Sequence, residues 1–546
     1  MKGASRSPAT LIAASALWMA VIGNLPLWRS LAGFGIFHTP RGVATATGLA
    51  VAIFGVHTMV LALVAWRWSF KGAAATLLFV TAASGYFMLT YGVVMDPGMV
   101  TSAFQTDLHE AAGLFSWRLV IALAVAGALP AWMVWRQRVD WGSARRQALR
   151  NALLAVAGLA ITAAAILASF QGLAAVMRNH KEVRYLVNPM AAIYSAARVA
   201  ARPLGRDESV LVRVGEDATR ASHPAGQDDR PPLLLLVLGE TARSDNFSIN
   251  GYPRPTTPGL EREGVVSFRN AWSCGTSTAA SVPCMFSDLG RERFEARTHA
   301  YEGLLDVLHH AGLAVLWIDN QSGCKGVCDR VPSVSTGAQA ADSPCPRGEC
   351  LDGVMLEGLD ARIAALDPAR VARGLVVVMH QMGSHGPAYH LRSPAALKRF
   401  QPECASAALD ACTRESLVNA YDNSIAYTDH FLVDAIGWLK SKAGRADTAL
   451  MYVSDHGESL GEHNLYLHGL PYAVAPDVQK HVPWITWLSE GFSRSAGVSA
   501  ACLQARRDQR LSHDNYFHAV LGLMAVRTSA YRPDLDPYAP CTAGAR

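Results

Sequence analysis

The chain has 546 residues, of which 51% are hydrophobic, with a mean hydropathy of +0.15 and a formal net charge of +5. So apolar a composition, with its long apolar runs gathered in the first third, excludes an ordinary soluble protein. The modest charge, without any basic–aromatic stripe, gives no case for a nucleic-acid partner.

Five stretches, near 9–31, 44–66, 72–95, 117–135 and 150–173, are long and apolar enough to span a bilayer. Their many Ala, Gly, Ser and Thr residues suit close helix packing. Lys2 and Arg6 precede the first span, and Arg67 and Lys71 separate the second from the third. Arg136, Arg138, Arg145, Arg146 and Arg150 separate the fourth from the fifth, while the third loop carries Asp96, Asp107 and Glu110. The positive-inside rule places the N-terminus in the cytoplasm, and an odd number of spans places the C-terminal region outside. The first stretch lacks a small-residue cleavage site and reads as a retained span, not a signal peptide.

The spans make a membrane domain over 1–173, followed by a connecting region over 174–232. Met177–Pro189 mixes charge with Tyr and Leu and is expected on the outer membrane surface, followed by a short amphipathic helix over 189–202. The polar stretch 215–232 reads as a linker. All ten Cys lie after residue 270, as expected for disulfides in an oxidising compartment. Near-neighbour pairing is the simplest choice: Cys274–Cys284, Cys324–Cys328, Cys345–Cys350, Cys404–Cys412, with Cys502 and Cys541 left to pair with each other. Spacing alone does not prove that connectivity.

From 233 to 546 apolar runs at 233–238, 313–318, 375–379 and 448–453 alternate with helical stretches that include 301–311, 351–366 and 415–441. Uninterrupted apolar runs suit strands buried on both faces, so the region is expected to be an α/β domain with a largely parallel sheet. The run at 233–238 leads into Glu240, and the run ending at 453 leads into Asp455-His456. Alone, either segment reads equally as a helix-capping acid or a turn. Together they deliver ligand types for Zn²⁺ beyond the carboxyl ends of two strands, where open α/β sheets bind ligands. The hydroxyl-rich segment Ser273–Cys284 offers a nucleophile, and spacing leaves Thr276, Ser277, Thr278 and Ser281 all open. His385 after the third run, and His463 and His468 after Asp455-His456, are candidates for metal ligation, phosphate contact or protonation of a leaving group.

Six strings carry a resemblance: Gly239-Glu-Thr-Ala-Arg243, Asn250-Gly-Tyr-Pro-Arg254-Pro-Thr-Thr-Pro, Ser273-Cys-Gly-Thr-Ser-Thr-Ala, Asn320-Gln-Ser-Gly-Cys-Lys-Gly, Gly383-Ser-His-Gly-Pro and Ser454-Asp-His-Gly-Glu-Ser. With the five spans they make the chain resemble the membrane phosphoethanolamine transferases of Gram-negative bacteria, above all those that modify lipid A and confer polymyxin resistance. The resemblance implies an α-helical membrane domain followed by an α/β alkaline phosphatase-like, sulfatase-like periplasmic domain in the inner membrane. It implies one Zn²⁺ held by Glu240, Asp455, His456 and the nucleophile Thr278, with room for a second. His385 and His468 would contact the transferred phosphate. Ser322 and Lys325 would hold the phosphoethanolamine group, and Ser102, Thr106 and Glu110 its ethanolamine end, with Ser102 standing where the family often has Asn. The implied donor is phosphatidylethanolamine and the implied acceptor lipid A. No association signal is present, so a monomer is expected.

Three rivals remain on the sequence. A relative could use a lipopolysaccharide core sugar or another glycan as acceptor, or a phosphoglycerol donor. A sulfatase would need Arg two residues after Pro283, where Met285 stands. A non-enzymatic lipid-binding protein on a decayed scaffold would have lost a ligand or the nucleophile, and none is missing.

Overall fold

The computed structural model describes residues 5–105, 114–205, 207–220, 230–336, 345 and 349–542. They fall into two units, the first formed by described residues up to Val100 and by Phe115–Ala200, the second by Thr101–Gln105, Leu114 and the described residues from Ala201 on.

In the first unit five helices are long and apolar enough to cross a membrane: Pro8–Gly33, Pro40–Leu63, Phe70–Tyr91, Trp117–Arg136 and Ala144–Ala168. Two of them are interrupted, and in each a side chain takes up the backbone group set free. The first breaks between Val21 and Leu25, where Asn24 Nδ2 donates to the Met19 carbonyl at 2.8 Å. The fourth loosens into a π-turn over Leu123–Ala128, just before Pro130, which has no N–H to donate. Trp18 Nε1 donates instead to the Ala126 carbonyl at 3.2 Å. Such compensation is what apolar surroundings require of backbone polar groups.

The fifth span ends at Ala168, and a separate helix, Phe170–Asn179, follows. The segment expected on the outer surface differs at its end: Asn188 is fully buried. Its N–H donates to Asn24 Oδ1 at 2.9 Å, its carbonyl accepts from Asn24 Nδ2 at 2.7 Å, and its own Nδ2 donates to the carbonyls of Thr81 and Gly23 at 2.8 and 3.2 Å. The break in the first span exposes polar backbone that only a polar segment can satisfy, and Asn188 supplies it. The amphipathic helix follows as Met190–Gly205.

The second unit is built on one sheet of eight strands: β1 (Pro232–Gly239), β2 (Val266–Trp272), β3 (Ala314–Asp319), β4 (Ser333–Ser335), β5 (Leu375–His380), β6 (Asp447–Ser454), β7 (His481–Leu488) and β8 (Leu511–Ser512). Their spatial order is β8-β2-β7-β6-β1-β5-β3-β4. The strands β6, β1, β5 and β3 are mutually parallel, and every residue of β1 and β6 is buried. Alternate residues Leu234, Leu236, Leu238, Val376, Val378, Met451 and Val453 join Trp317 and the helices Leu304–His310 and Tyr516–Leu523 in the main core. The long helix Arg414–Ser441 packs against β6.

The sheet is mixed, because β7 runs antiparallel to both β6 and β2. Pro483 lies inside β7, and the register with β2 shifts between Val482 and Trp484, where the ladder loses a donor. The helix expected over 351–366 is two short pieces, Asp352–Met355 and Leu359–Ala364, divided at Gly358, which has φ +63°. Part of the stretch expected as a linker is ordered structure: Thr219–Arg220 pairs with Val526–Arg527, and just upstream Asp207–Val212 pairs with His299–Tyr301. The five disulfides join Cys274 to Cys284, Cys324 to Cys328, Cys345 to Cys350, Cys404 to Cys412 and Cys502 to Cys541.

Candidate active site and metal centre

Parallel register brings the chemistry to one edge. Gly239 pairs with Ser454 across β1 and β6, so Glu240 and Asp455 leave the sheet side by side, with His456 next in line. All three are fully buried, and their ligand atoms lie within 4.8 Å of one another. Thr241, between Glu240 and the chain that follows, has φ +59°, a conformation costing on the order of 1–3 kcal/mol in a non-glycine residue. It is held there from two sides: its N–H donates to Asp455 Oδ1 at 3.2 Å, and its carbonyl accepts from Tyr421 at 2.7 Å.

The hydroxyl segment resolves into one residue. Thr276 donates to the Leu470 carbonyl at 2.6 Å, and Ser281 accepts from the Gly275 N–H at 2.8 Å, so both stabilise local backbone. Ser277 stands at the N-cap position of the helix Thr278–Met285, with no capping hydrogen bond from its side chain. Thr278, at the first position of that helix, turns inward: Oγ1 donates to Glu240 Oε2 at 3.0 Å and lies 3.4 Å from His456 Nε2. The helix N-terminus adds backbone N–H groups suited to a phosphate.

The cluster suits a cation. His456 Nδ1 lies 2.9 Å from the Gly457 carbonyl, which only accepts, so Nδ1 carries the proton and Nε2 a lone pair. That lone pair faces Glu240 Oε1 and Asp455 Oδ2, each at 3.4 Å, and Asp455 Oδ2 is buried with no hydrogen-bond partner. Two carboxylates and an imidazole lone pair converging without a donor among them is the arrangement a divalent cation resolves. Burial, reinforced by nearby His468, pushes His456 down to about 4, and burial lifts Asp455 to about 6. Both shifts express the cost of charge in this pocket without a counter-charge.

The histidines flank the cluster. The ring centres of His456 and His468 are 4.3 Å apart, and those of His468 and His385 5.6 Å. His468 Nδ1 faces Glu458 Oε1 at 3.3 Å, while Glu458 Oε2 accepts from the Tyr389 hydroxyl at 2.8 Å. Burial raises this carboxyl to about 7. The loop carrying His385 comes so close to Glu240 that a Cβ at Gly383, where φ is +52°, would lie 2.7 Å from the Glu240 carbonyl oxygen. His463, by contrast, lies on an exposed turn outside this grouping.

On the other side of β1, Gln321 Nε2 donates to Glu240 Oε2 at 3.1 Å, while its Oε1 accepts from the Ser322 hydroxyl at 2.5 Å. Lys325, with φ +53°, donates to Ser322 Oγ at 2.8 Å. Asp319 anchors this loop by accepting from the N–H groups of Gln321 and Gly323, each at 3.0 Å. Burial alone would raise the Asp319 carboxyl, but buried His380, 3.1 Å away, holds it well below its usual range. Gln321 and Glu458 sit inside two of the strings that carry the resemblance but have no role assigned by spacing, and Tyr389 and the Asp319–His380 pair carry no sequence signal. Ser102 lies on the helix Pro97–Gln105, whereas Thr106 and Glu110 lie outside the described residues.

A threonine hydroxyl at a helix N-terminus, set against a buried acid–histidine cluster at the carboxyl edge of such a sheet, fits a phosphoryl- or sulfuryl-handling domain of the alkaline phosphatase and sulfatase class. The family profile "Sulfatase" matches residues 232–526, and the profile "Phosphoethanolamine transferase EptA/EptB" matches residues 53–204. Phosphoethanolamine transferase EptA of Escherichia coli (strain K12) is 38% identical over 96% of both chains. Phosphatidylethanolamine transferase Mcr-1 of Escherichia coli is 35% identical, again over 96% of both. Among solved structures, the integral membrane lipooligosaccharide phosphoethanolamine transferase A from Neisseria meningitidis superposes with a TM-score of 0.91 and 31% identity over 98% of each chain. With similarity running through both units, the chain belongs to the phosphoethanolamine transferase family and is a membrane-anchored enzyme of that family.

Proposed function

We propose that the protein transfers phosphoethanolamine from phosphatidylethanolamine to a phosphate of lipid A, through a phosphoethanolamine–Thr278 intermediate, and so confers polymyxin resistance. The observation that carries this reading is the direction of Thr278 Oγ1, which alone among four neighbouring hydroxyl groups reaches both Glu240 and His456. The whole-chain relatives are named for phosphoethanolamine or phosphatidylethanolamine transfer, and one for lipooligosaccharide, which supports both donor and acceptor class.

In the first step Thr278 Oγ1 attacks the donor phosphorus. The new O–P bond forms as the bond to the diacylglycerol oxygen breaks, and diacylglycerol leaves with a proton. In the second step an oxygen of a lipid A phosphate attacks the same phosphorus and Thr278 Oγ1 leaves. Glu240, Asp455, His456 and Thr278 would hold one Zn²⁺, which when bound favours the alkoxide form of Thr278 and offsets charge on the phosphoryl oxygens. His385 and His468 contact those oxygens, with Glu458 orienting His468, and could share a second zinc. Ser322 and Lys325 hold the phosphoethanolamine group, and Gln321 fixes their loop relative to Glu240. Ser102, Thr106 and Glu110 contact the ethanolamine end. The enzyme acts as a monomer in the inner membrane, its N-terminus cytoplasmic and its second unit periplasmic.

Mass spectrometry of lipid A from a polymyxin-sensitive Gram-negative host tests this. Wild type adds a phosphoethanolamine-sized mass, and Thr278→Ala, accumulating normally in the membrane, adds none. Addition by the variant would remove Thr278 as nucleophile. Absence with wild type would shift the acceptor to core sugars.

A further inference from the structure

The carboxyl edge of the sheet continues past the cluster through β7, β2 and β8, and there it carries cations seated on aromatic rings. Tyr472 follows His468 on a loop pinned to the nucleophile segment, for the Gly469 N–H donates to the Thr276 carbonyl at 2.7 Å and Thr276 Oγ1 to the Leu470 carbonyl at 2.6 Å. The guanidinium carbon of Arg291 is 3.4 Å from the Tyr472 ring centre, and Lys480 Nζ, just before β7, is 5.3 Å from it. Arg510, just before β8, stands 5.0 Å over the ring of Trp272, the last residue of β2. All five residues reach solvent.

An arginine stacked on a ring keeps its in-plane N–H groups for an outside acceptor, in the fork that suits phosphate. The ring also restricts rotamers that a free surface cation would have to give up on binding. Neighbouring acids offset part of the charge: Arg291 donates to Glu295 at 3.0 Å, its backbone N–H donates to Asp514 at 2.8 Å, and Lys480 faces Asp477 at 3.2 Å. Arg510 has no carboxylate within ion-pair distance among the described residues.

Placement along the edge sets what the patch can do. The loop of Gln321, Ser322 and Lys325 follows β3, on the β5 side of β1. The cationic patch lies on the opposite side: Lys480 is one strand beyond β6, and the Trp272–Arg510 pair two and three strands beyond it. At the spacing of neighbouring strands that puts the Trp272–Arg510 pair about 10–14 Å from β6, the reach of two sugar rings. We propose that Arg510, Lys480 and Arg291 bind a phosphate of the acceptor glycolipid other than the one that attacks, so that the donor is held on one side of Thr278 and the acceptor on the other. This rests on the lipid A reading above.

The test uses full-length enzyme in detergent micelles with phosphatidylethanolamine, and two readouts: diacylglycerol release without acceptor, and transfer to lipid A bearing two phosphates or one. Wild type has the lower KM for the bisphosphorylated acceptor. Arg510→Glu raises that KM about tenfold or more, as loss of a charge-assisted contact would. It leaves diacylglycerol release and the KM for the monophosphorylated acceptor unchanged, and Lys480→Ala shifts the same constant in the same direction. Equal KM values in wild type and both variants would overturn the inference alone, as would a parallel loss of diacylglycerol release, which marks a structural role. Phosphatidylglycerol competing with lipid A in wild type but not in Arg510→Glu would reassign the patch to membrane anions. Wild type that releases diacylglycerol without modifying lipid A would overturn the acceptor reading itself.

Discussion

Asp352 shows how much of this site depends on residues that touch no substrate. It is buried, and it accepts from the N–H groups of Met382 and Gly383 at 2.8 and 3.1 Å and from Asn320 Nδ2 at 2.9 Å. It thereby ties the chain entering the His385 turn to the segment leaving β3. Arg392 closes the same turn from the other side, donating to the His385 carbonyl at 2.8 Å and to Glu349 at 2.7 Å. Asp352→Ala strands three donors in a buried setting and is expected to destabilise the second unit by about 1–3 kcal/mol. Because it also frees the His385 loop, transfer should fall by on the order of tenfold or more. Thermal denaturation and transfer rates on one preparation separate the two effects, and a variant of normal rate would show that the turn holds without its anchor. The cluster gives a second expectation at this scale. Stripping metal with a chelator should abolish transfer and lower the melting temperature, since a ligand bound only by the folded state stabilises it. Zn²⁺ should restore both, and Glu240→Gln, lacking one anionic donor, should show a smaller melting shift.

Elements differed in how openly the sequence announced them, for physical reasons. The strands β1, β3, β5 and β6 are buried on both faces, so their residues are apolar without interruption and could be read to within a residue or two. β2 carries half-buried Arg269 and Asn270 beside buried Phe268, and β7, the one antiparallel strand among the eight, carries Pro483, so neither reads as a central strand from the sequence. Glu240 and Asp455-His456 were legible because each ends an apolar run. Choosing Thr278 among its neighbours needed the fold, since only position shows which hydroxyl reaches Glu240 and His456. The start of β7 also carries a titrating contact: His481 Nδ1 meets Asp245 at 3.0 Å, joining β7 to the turn after β1. Burial would lower His481, but the hydrogen bonds to Asp245 and to the Arg269 carbonyl raise it above 6.5. The same hydrogen bond outweighs burial at Asp245 and lowers it below 3.8. A raised histidine contributes its stability below 6.5 and loses it as pH climbs through the folded value; a lowered aspartate contributes above 3.8 and loses it as pH falls. The melting difference between wild type and His481→Gln should therefore be widest between these two values and shrink above neutrality. A difference independent of pH would mean that the contact is packing alone.

At the scale of the whole molecule, two independent chemical records support the proposed orientation in the membrane. The ten cysteines are all in the second unit, and all are paired, which suits an oxidising compartment. The arginines gather in the loop between the fourth and fifth spans, and Lys71 Nζ, at the start of the third, donates to the carbonyls of Trp135 and Gln137 at the end of the fourth, at 2.8 and 3.0 Å. That contact puts the start of one span beside the end of another, as an antiparallel arrangement with both ends on the cationic side requires. With five spans, the proposed cytoplasmic N-terminus and arginine loop would leave the second unit outside. The expected outcome is asymmetric: a phosphatase reporter active only in the periplasm should work when fused after residue 542 and fail when fused within 138–143, while a fluorescent reporter that matures only in the cytoplasm should do the reverse. Replacing Arg136, Arg138, Arg145 and Arg146 by Gln removes much of the charge that retains this loop inside, and should raise the fraction of molecules with the phosphatase-competent loop outside. Those inverted molecules would have their cysteines in a reducing compartment, so they should also carry free thiols, which a membrane-permeant thiol reagent would count. Free thiols without inversion would separate disulfide formation from topology, and inversion without free thiols would deny that the compartment keeps the five bridges closed.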